Sequence, residues 1–283
     1  KPGQRATDAV AEIHLRSSQG GNHSFELPEG AQLMEVRING LVQPVQAEGR
    51  KVTVPLVPGA QIIKLGWREG RGMEWLFHTR SFGVGASGVN DSLNLDMPEE
   101  RVILSLGGPR LGPAVLFWGV LVIILGIALY LGRSRLTPLG ILAWFLLGVG
   151  LAQSTPIGAA VVGGWFLVLA VRQRWKTERR WAFNLVQILL VVWTLAAAGV
   201  IFDTVQTGLL GHPDMMIEGY GSSASSLYWY QDRFAGMTGE AWVLSVPVLW
   251  YRVVMLLWAL WLAASLLKWV KWAWECFGQD GYW

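Results

Sequence analysis

Polar and apolar residues alternate along the first hundred residues, then give way to long apolar runs. In the first part the period is two: Ala11, Ile13 and Leu15 alternate with Glu12 and His14, and Met34, Val36 and Ile38 with Glu35 and Arg37. That period marks strands with one face buried. Asn39-Gly40 closes one such run and predicts a tight hairpin, because both residues tolerate positive φ. Glu48-Gly49 and Pro58-Gly59 mark turns around strands at 51–57 and 61–67, with further strands expected at 23–27, 74–79, 92–95 and 101–106. Gly20-Gly21 and the stretch 83–88 read as turns. Short strands punctuated in this way predict an all-β, sandwich-like extracytoplasmic domain over residues 1–106. The Gly/Pro stretch 107–113 reads as a stiff hinge into the apolar half of the chain.

That half, residues 114–276, reads as a helical transmembrane domain. Five apolar runs, at about 113–131, 138–152, 157–171, 183–205 and 246–267, predict a bundle of about five spans. The second and third are short, and a re-entrant hairpin is the alternative for that pair. Basic residues orient the bundle. Arg172, Arg174, Lys176, Arg179 and Arg180 crowd one short break, Arg133 and Arg135 another, and Lys268 and Lys271 follow the last run. Short loops rich in Lys and Arg stay cytoplasmic. One orientation satisfies all three clusters, with the C-terminus cytoplasmic and the β domain on the far side. The segment 206–241 is then an outer loop.

Composition adds compartment and removes chemistry. Net charge is +3 and mean hydropathy +0.37, and the 17 tryptophans lie mostly after Gly112, as suits membrane interfaces. The basic excess tracks topology and gives no nucleic-acid footprint. Cys276 is the one cysteine, so no intrachain disulfide can form. His14, His23 and His78 lack metal-ligand spacing, and no nucleophile elbow, phosphate loop or zinc motif occurs. Neither cofactor nor catalytic residue is assigned, and an intramembrane enzyme is the weakest of the readings, since no pair of catalytic residues stands inside the apolar runs. No secretory signal opens the chain at Lys1, which suggests a mature product or the later part of a longer chain.

Three groups stand out as candidate contacts. Tyr228, Trp229, Tyr230 and Phe234 in the outer loop fit a partner-binding segment or an interfacial belt. Trp250, Trp258, Trp261, Trp269 and Trp272 fall on one stripe of the last helix, a surface for lipid or a partner. Asp203 and Arg252 are expected at similar depth on the fourth and fifth spans, each beside small residues, and predict an intramembrane ion pair.

The hairpin at Asn39-Gly40, the stretch 107–113 and the multispan tail together resemble the C-terminal region of large uncharacterised proteobacterial inner-membrane proteins. That resemblance implies a bacterial inner-membrane location, a periplasmic β domain and a polypeptide part upstream, and no activity. The expected role is a membrane-anchoring and partner-binding module, scaffold or subunit, whose partners are membrane lipids and other envelope proteins or an upstream part of the same chain. The alternative is a transporter or lipid-handling component that uses the bundle interior or the Trp stripe.

Overall fold

The computed structural model describes residues 1–134, 136–174 and 180–278, the side chain of Arg180 aside. Arg135, Lys176 and Arg179, which contribute to the expected orientation, lie outside these residues, as does the Arg180 side chain. The chain forms two compact units, one from Lys1–Leu116 with Met215–Pro247, the other from Phe117–Asp214 with the segment that begins at Val248.

The first unit is β-rich. Its strands are β1 (Thr7–Ser17), β2 (Gly21–Glu26), β3 (Ala31–Ile38), β4 (Leu41–Val42), β5 (Ala47–Glu48), β6 (Lys51–Leu56), β7 (Gly59–Glu69), β8 (Leu76–His78), β9 (Gly83–Asp96), β10 (Arg101–Gly107) and β11 (Ala114–Val115). After four helices come β12 (Ile217–Glu218), β13 (Ser226–Met237) and β14 (Trp242–Pro247). They form sheets of order β1-β7-β3-β4, β13-β9-β2-β6-β5, β10-β14-β8 and β11-β12. Asn39 and Gly40 hold φ of 49° and 84°, as the hairpin between β3 and β4 requires. Along β7 every second residue is buried, including Ile63, Leu65 and Trp67. These meet Phe25, Val52 and Val54 from the second sheet in one core, where the Phe82 ring stacks on both Trp67 (5.2 Å) and Phe25 (5.9 Å).

The first unit does not end at the hinge. β13 pairs with β9 from Ser226↔Asp96 to Met237↔Gly83, and β14 runs between β10 and β8. The segment 206–241, expected as an outer loop, is therefore the end of a helix followed by strands of the β unit. The expected boundary at 106 moves accordingly. The physical reason is period two at the aromatics: Leu227 and Trp229 are buried and their neighbours are not. Nor is 107–113 a free hinge. A Cβ on Gly108 or Gly112 would run into the Trp229 indole, and Leu111 and Tyr230 exchange backbone hydrogen bonds. The stretch 83–88 is strand, not turn. Chain exit and re-entry are adjacent: Val115 pairs with Ile217, and the Leu116 N–H donates to Met216 C=O at 3.0 Å.

The second unit holds α1 (Phe117–Ser134), α2 (Ile141–Leu151), α3 (Pro156–Arg174), α4 (Arg180–Leu210) and α5 (Val248–Gly278). Four of these, all but α2, are long and apolar enough to cross a membrane. The expected second span shrinks to 11 residues, about 16 Å against a hydrocarbon layer of about 30 Å. Pro138 and Gly140 precede its start, and Ser154 Oγ donates to Leu151 C=O at its end. The Thr155 hydroxyl then accepts from the Gly158 N–H and caps α3.

Phe166 of α3 sits fully buried at the centre of this unit. Its ring lies 5.6 Å from Trp144, 4.7 Å from Trp165, 5.2 Å from Trp269 and 6.3 Å from Trp272. Indole N–H groups tie the helices together. Trp165 donates to Thr194 Oγ1 (2.9 Å), Trp193 to Val161 C=O (2.9 Å) and Trp258 to Leu146 C=O (2.8 Å). Gly150 makes room for Trp258, since a Cβ there would overlap the indole. Small residues at helix contacts serve this close approach.

Candidate functional site

A cavity of about 820 Å³ opens within the β unit. Its walls are β1 on one side and β9 on the other, and its floor includes Phe25, Trp67 and Phe82. β1 is a sheet edge, and β9, between β13 and β2, is paired to β2 at one end alone. β1 ends the first sheet with β7 as its one neighbour. The Asp8 N–H donates to Lys1 C=O and the Asp8 C=O accepts from the Lys1 amino group, so the Asp8 backbone points away from β7. Alternation along an antiparallel ladder then turns the backbone groups of Val10, Glu12, His14 and Arg16 away from β7 too.

β9 is open over most of its length. It pairs with β13 from Ser87 to Asp96, with a break at Asn90, and again at Gly83, but with β2 at Glu26↔Gly83 alone. The Met97 N–H donates to Ser225 C=O in the β13 direction, and Tyr230, opposite Ser92, turns its backbone to Leu111. By the same alternation Gly88, Ser92 and Asn94 direct their backbone groups away from β13. Among the described residues no hydrogen bond satisfies the outward backbone groups of Val10, Glu12, His14, Arg16, Gly88, Ser92 or Asn94, and all seven residues line the cavity.

Charge around the cavity is balanced. Lys1, Arg16 and Arg80 face Glu12, Glu69 and Asp91. The Lys64 ammonium, 2.8 Å from Glu12, holds that carboxyl below its usual range, and Arg68 does the same for Asp8. Glu69 is buried, with Trp67 Nε1–H donating to it at 3.3 Å and the Arg71 and Arg80 guanidiniums 3.8 and 3.9 Å away. His23 donates to Val84 C=O at 2.7 Å, a structural role. Among the described residues no group of three His, Cys, Asp or Glu is placed to hold a metal ion. Hydrogen-bonding backbone at the rims and apolar rings at the floor suit a peptide better than a reacting small molecule.

The residues singled out from the sequence lie elsewhere or play other parts. Trp229 is a core residue of the β unit, 1% exposed, while Tyr228, Tyr230 and Phe234 stand beside it on β13. Of these, Phe234 lines the cavity and covers Gly88 across the ladder. The tryptophan stripe of α5 faces inward: Trp258 and Trp269 are buried, Trp261 and Trp272 pack on the core, and Trp250 alone of the five is exposed. As a lipid or partner surface it is corrected to a packing seam. Asp203 and Arg252 are both exposed and, among the described residues, no ion pair joins them. Asp203 shares a face with Gly199, beside which nothing approaches within 4 Å, whereas the buried α4 face carries Ala197, Thr204 and Gly208, the last against Met255 of α5.

Sequence reasoning missed the cavity. Its one visible signal was a run of small polar residues, Ala86-Ser87-Gly88 through Asn90-Asp91-Ser92, too hydrophilic for a core strand and too regular for a loop. Comparison with protein families, characterised proteins and solved structures finds no match to this chain.

Proposed function

We propose that the chain is an integral inner-membrane protein of the bacterial envelope, in which the helical unit anchors a periplasmic β-sandwich that binds a partner protein, as scaffold or subunit. One observation carries this reading: a β unit with two open strand edges around one cavity is joined by three chain connections to apolar helices. The core shared by the two larger sheets supports the sandwich description. Charge supports the orientation. α1 and α5 both begin next to the β unit in sequence; Arg133 comes late in α1, and in α5 two basic residues, Lys268 and Lys271, come late against one, Arg252, near the start. The resemblance to proteobacterial inner-membrane proteins supplies the inner-membrane and periplasmic terms.

Parity constrains the crossings. If the unit built from 1–116 and 215–247 stays on one side, the chain between them crosses an even number of times. α2 and α3 then cross together or turn back together. The Asp214 N–H donates to Gln153 Oε1 at 3.1 Å, which brings the α2–α3 turn to the outgoing end of α4 and favours the paired crossing.

Two measurements test the proposal. With Cys276→Ser as background, Ser18→Cys is expected to react with an impermeant thiol reagent in intact spheroplasts, and Gln173→Cys only after lysis. The reverse pattern overturns the orientation. Purification in mild detergent is expected to bring a second envelope protein in fixed ratio, and a solitary particle in every detergent tried overturns the partner-binding role.

A further inference from the structure

We propose that the cavity between β1 and β9 is an acceptor for one extended polypeptide strand of a partner protein, which adds to both open edges at once. The inference rests on the partner-binding reading and names what the partner presents. The rims supply the main observation. Backbone N–H and C=O groups recur at every second residue at Val10, Glu12, His14 and Arg16 on one side and at Ser92 and Asn94 on the other, with Gly88 beyond the left-handed Asn90 (φ 60°). Another extended backbone repeats its donors and acceptors at that interval and matches both rows. From Val10 to Arg16 the β1 edge spans about 20 Å, enough for some six or seven partner residues.

Side chains define the rest of the occupant. Strand geometry sends its alternate residues toward and away from the floor. The lining also includes the half-buried apolar side chains of Ala11, Ile13, Leu15, Val84 and Leu93, so the inward positions are apolar. The charges around the cavity, Lys1, Arg16 and Arg80 with Glu12, Glu69 and Asp91, balance one another. Complementarity therefore selects an uncharged segment, since a run of either sign would meet its like on one rim. Of the outward side chains of β1, Asp8, Glu12 and Arg16 place charges on an otherwise open edge, beside the apolar Val10 and the polar His14, a pattern that keeps such edges from pairing indiscriminately. That protection is a reason to expect a chosen strand here and not a second copy of β1.

The test uses the full chain in detergent micelles and a fluorescently labelled heptapeptide of alternating valine and threonine, read by anisotropy. Saturable binding is expected. The same peptide N-methylated at alternate residues, which removes one row of donors and leaves the side chains unchanged, is expected to bind at least tenfold more weakly. On the protein, His14→Pro and Ser92→Pro each delete an outward N–H. Proline is tolerated on an edge strand at such positions, so an unchanged melting temperature with at least tenfold weaker binding is the expected result. Should either variant fail to fold, the N-methylated peptide decides on the unaltered protein. Equal binding of the two peptides, or binding of neither, overturns the proposal. So does a disulfide between two His14→Cys chains in a Cys276→Ser background, which would put a second copy in the cavity. If the peptide fails while an envelope protein still co-purifies, partner binding stands and the strand acceptor falls.

Discussion

Truncating Phe166 to alanine is expected to cost about 3–5 kcal/mol of the helical unit's stability, the range for removing a large aromatic from a packed interior. The ring is fully buried and meets four indoles. Helices in lipid gain little from burial alone and depend on packing and interhelical hydrogen bonds. One of those indoles, Trp165, also donates the hydrogen bond to Thr194 that ties α3 to α4, so the void loosens more than one contact. Cys276 provides the readout. Its thiol is fully buried in the same cluster, and its labelling rate reports how often the unit opens. A loss of about 3 kcal/mol raises that opening roughly a hundredfold. Phe202→Ala, the same deletion at a position 70% exposed on α4, is expected to change the rate little. Equal effects at the two positions would show that Phe166 is not the keystone of the bundle.

The second large effect concerns the β unit. Residues 6–106 expressed alone are expected to give no cooperative melt, because β9 lacks β13 along most of its length and β10 and β8 lack β14 between them. Unpaired edges of that length promote aggregation. Joining 1–116 to 216–247 through an Asn-Gly turn is expected to give a soluble, cooperatively folding protein. The turn replaces four helices, and it fits because Leu116 and Met216 are already hydrogen-bonded across the β11–β12 pair. Circular dichroism and thermal unfolding of the two polypeptides settle it. A cooperative melt of 6–106 equal to that of the joined chain would mean that β13 and β14 are accessory.

Local pattern made the strands of the first hundred residues legible. Ile63, Leu65 and Trp67 alternate because β7 has one buried face, and Asn39-Gly40 turns because its φ angles demand those residues. The join between β9 and β13 was not legible, since pairing Leu95 with Leu227 depends on no feature local to either. Flanking glycines and serines made 215–247 look like a loop, and aromatics near a membrane span suggested an interface. In the helices the sequence defined faces but not their directions. Five of the six tryptophans of α5 do share a stripe, yet lipid and bundle interior are both apolar, so periodicity alone cannot tell them apart. The pairing expected between Asp203 and Arg252 is absent for the same reason: small residues do not by themselves mark the contact face, and Gly199 borders open space. The candidate site escaped notice because it is defined by backbone groups left over after pairing, which no side-chain motif announces.

The insertion of α1–α4 between β11 and β12 also sets a schedule. Met215 is synthesised about a hundred residues after Leu116, a delay of order 10 s at ordinary elongation rates. Throughout that interval β9 and β10 exist without the strands that flank them, while the apolar helices α1, α3 and α4 emerge one after another. On the membrane placement proposed above, insertion of the helices thus comes first and closure of the β unit last, whatever the relative stabilities of the two. A defect that stalls α3 or α4 at the translocation machinery would surface as proteolysis at 83–107, far from the altered residue.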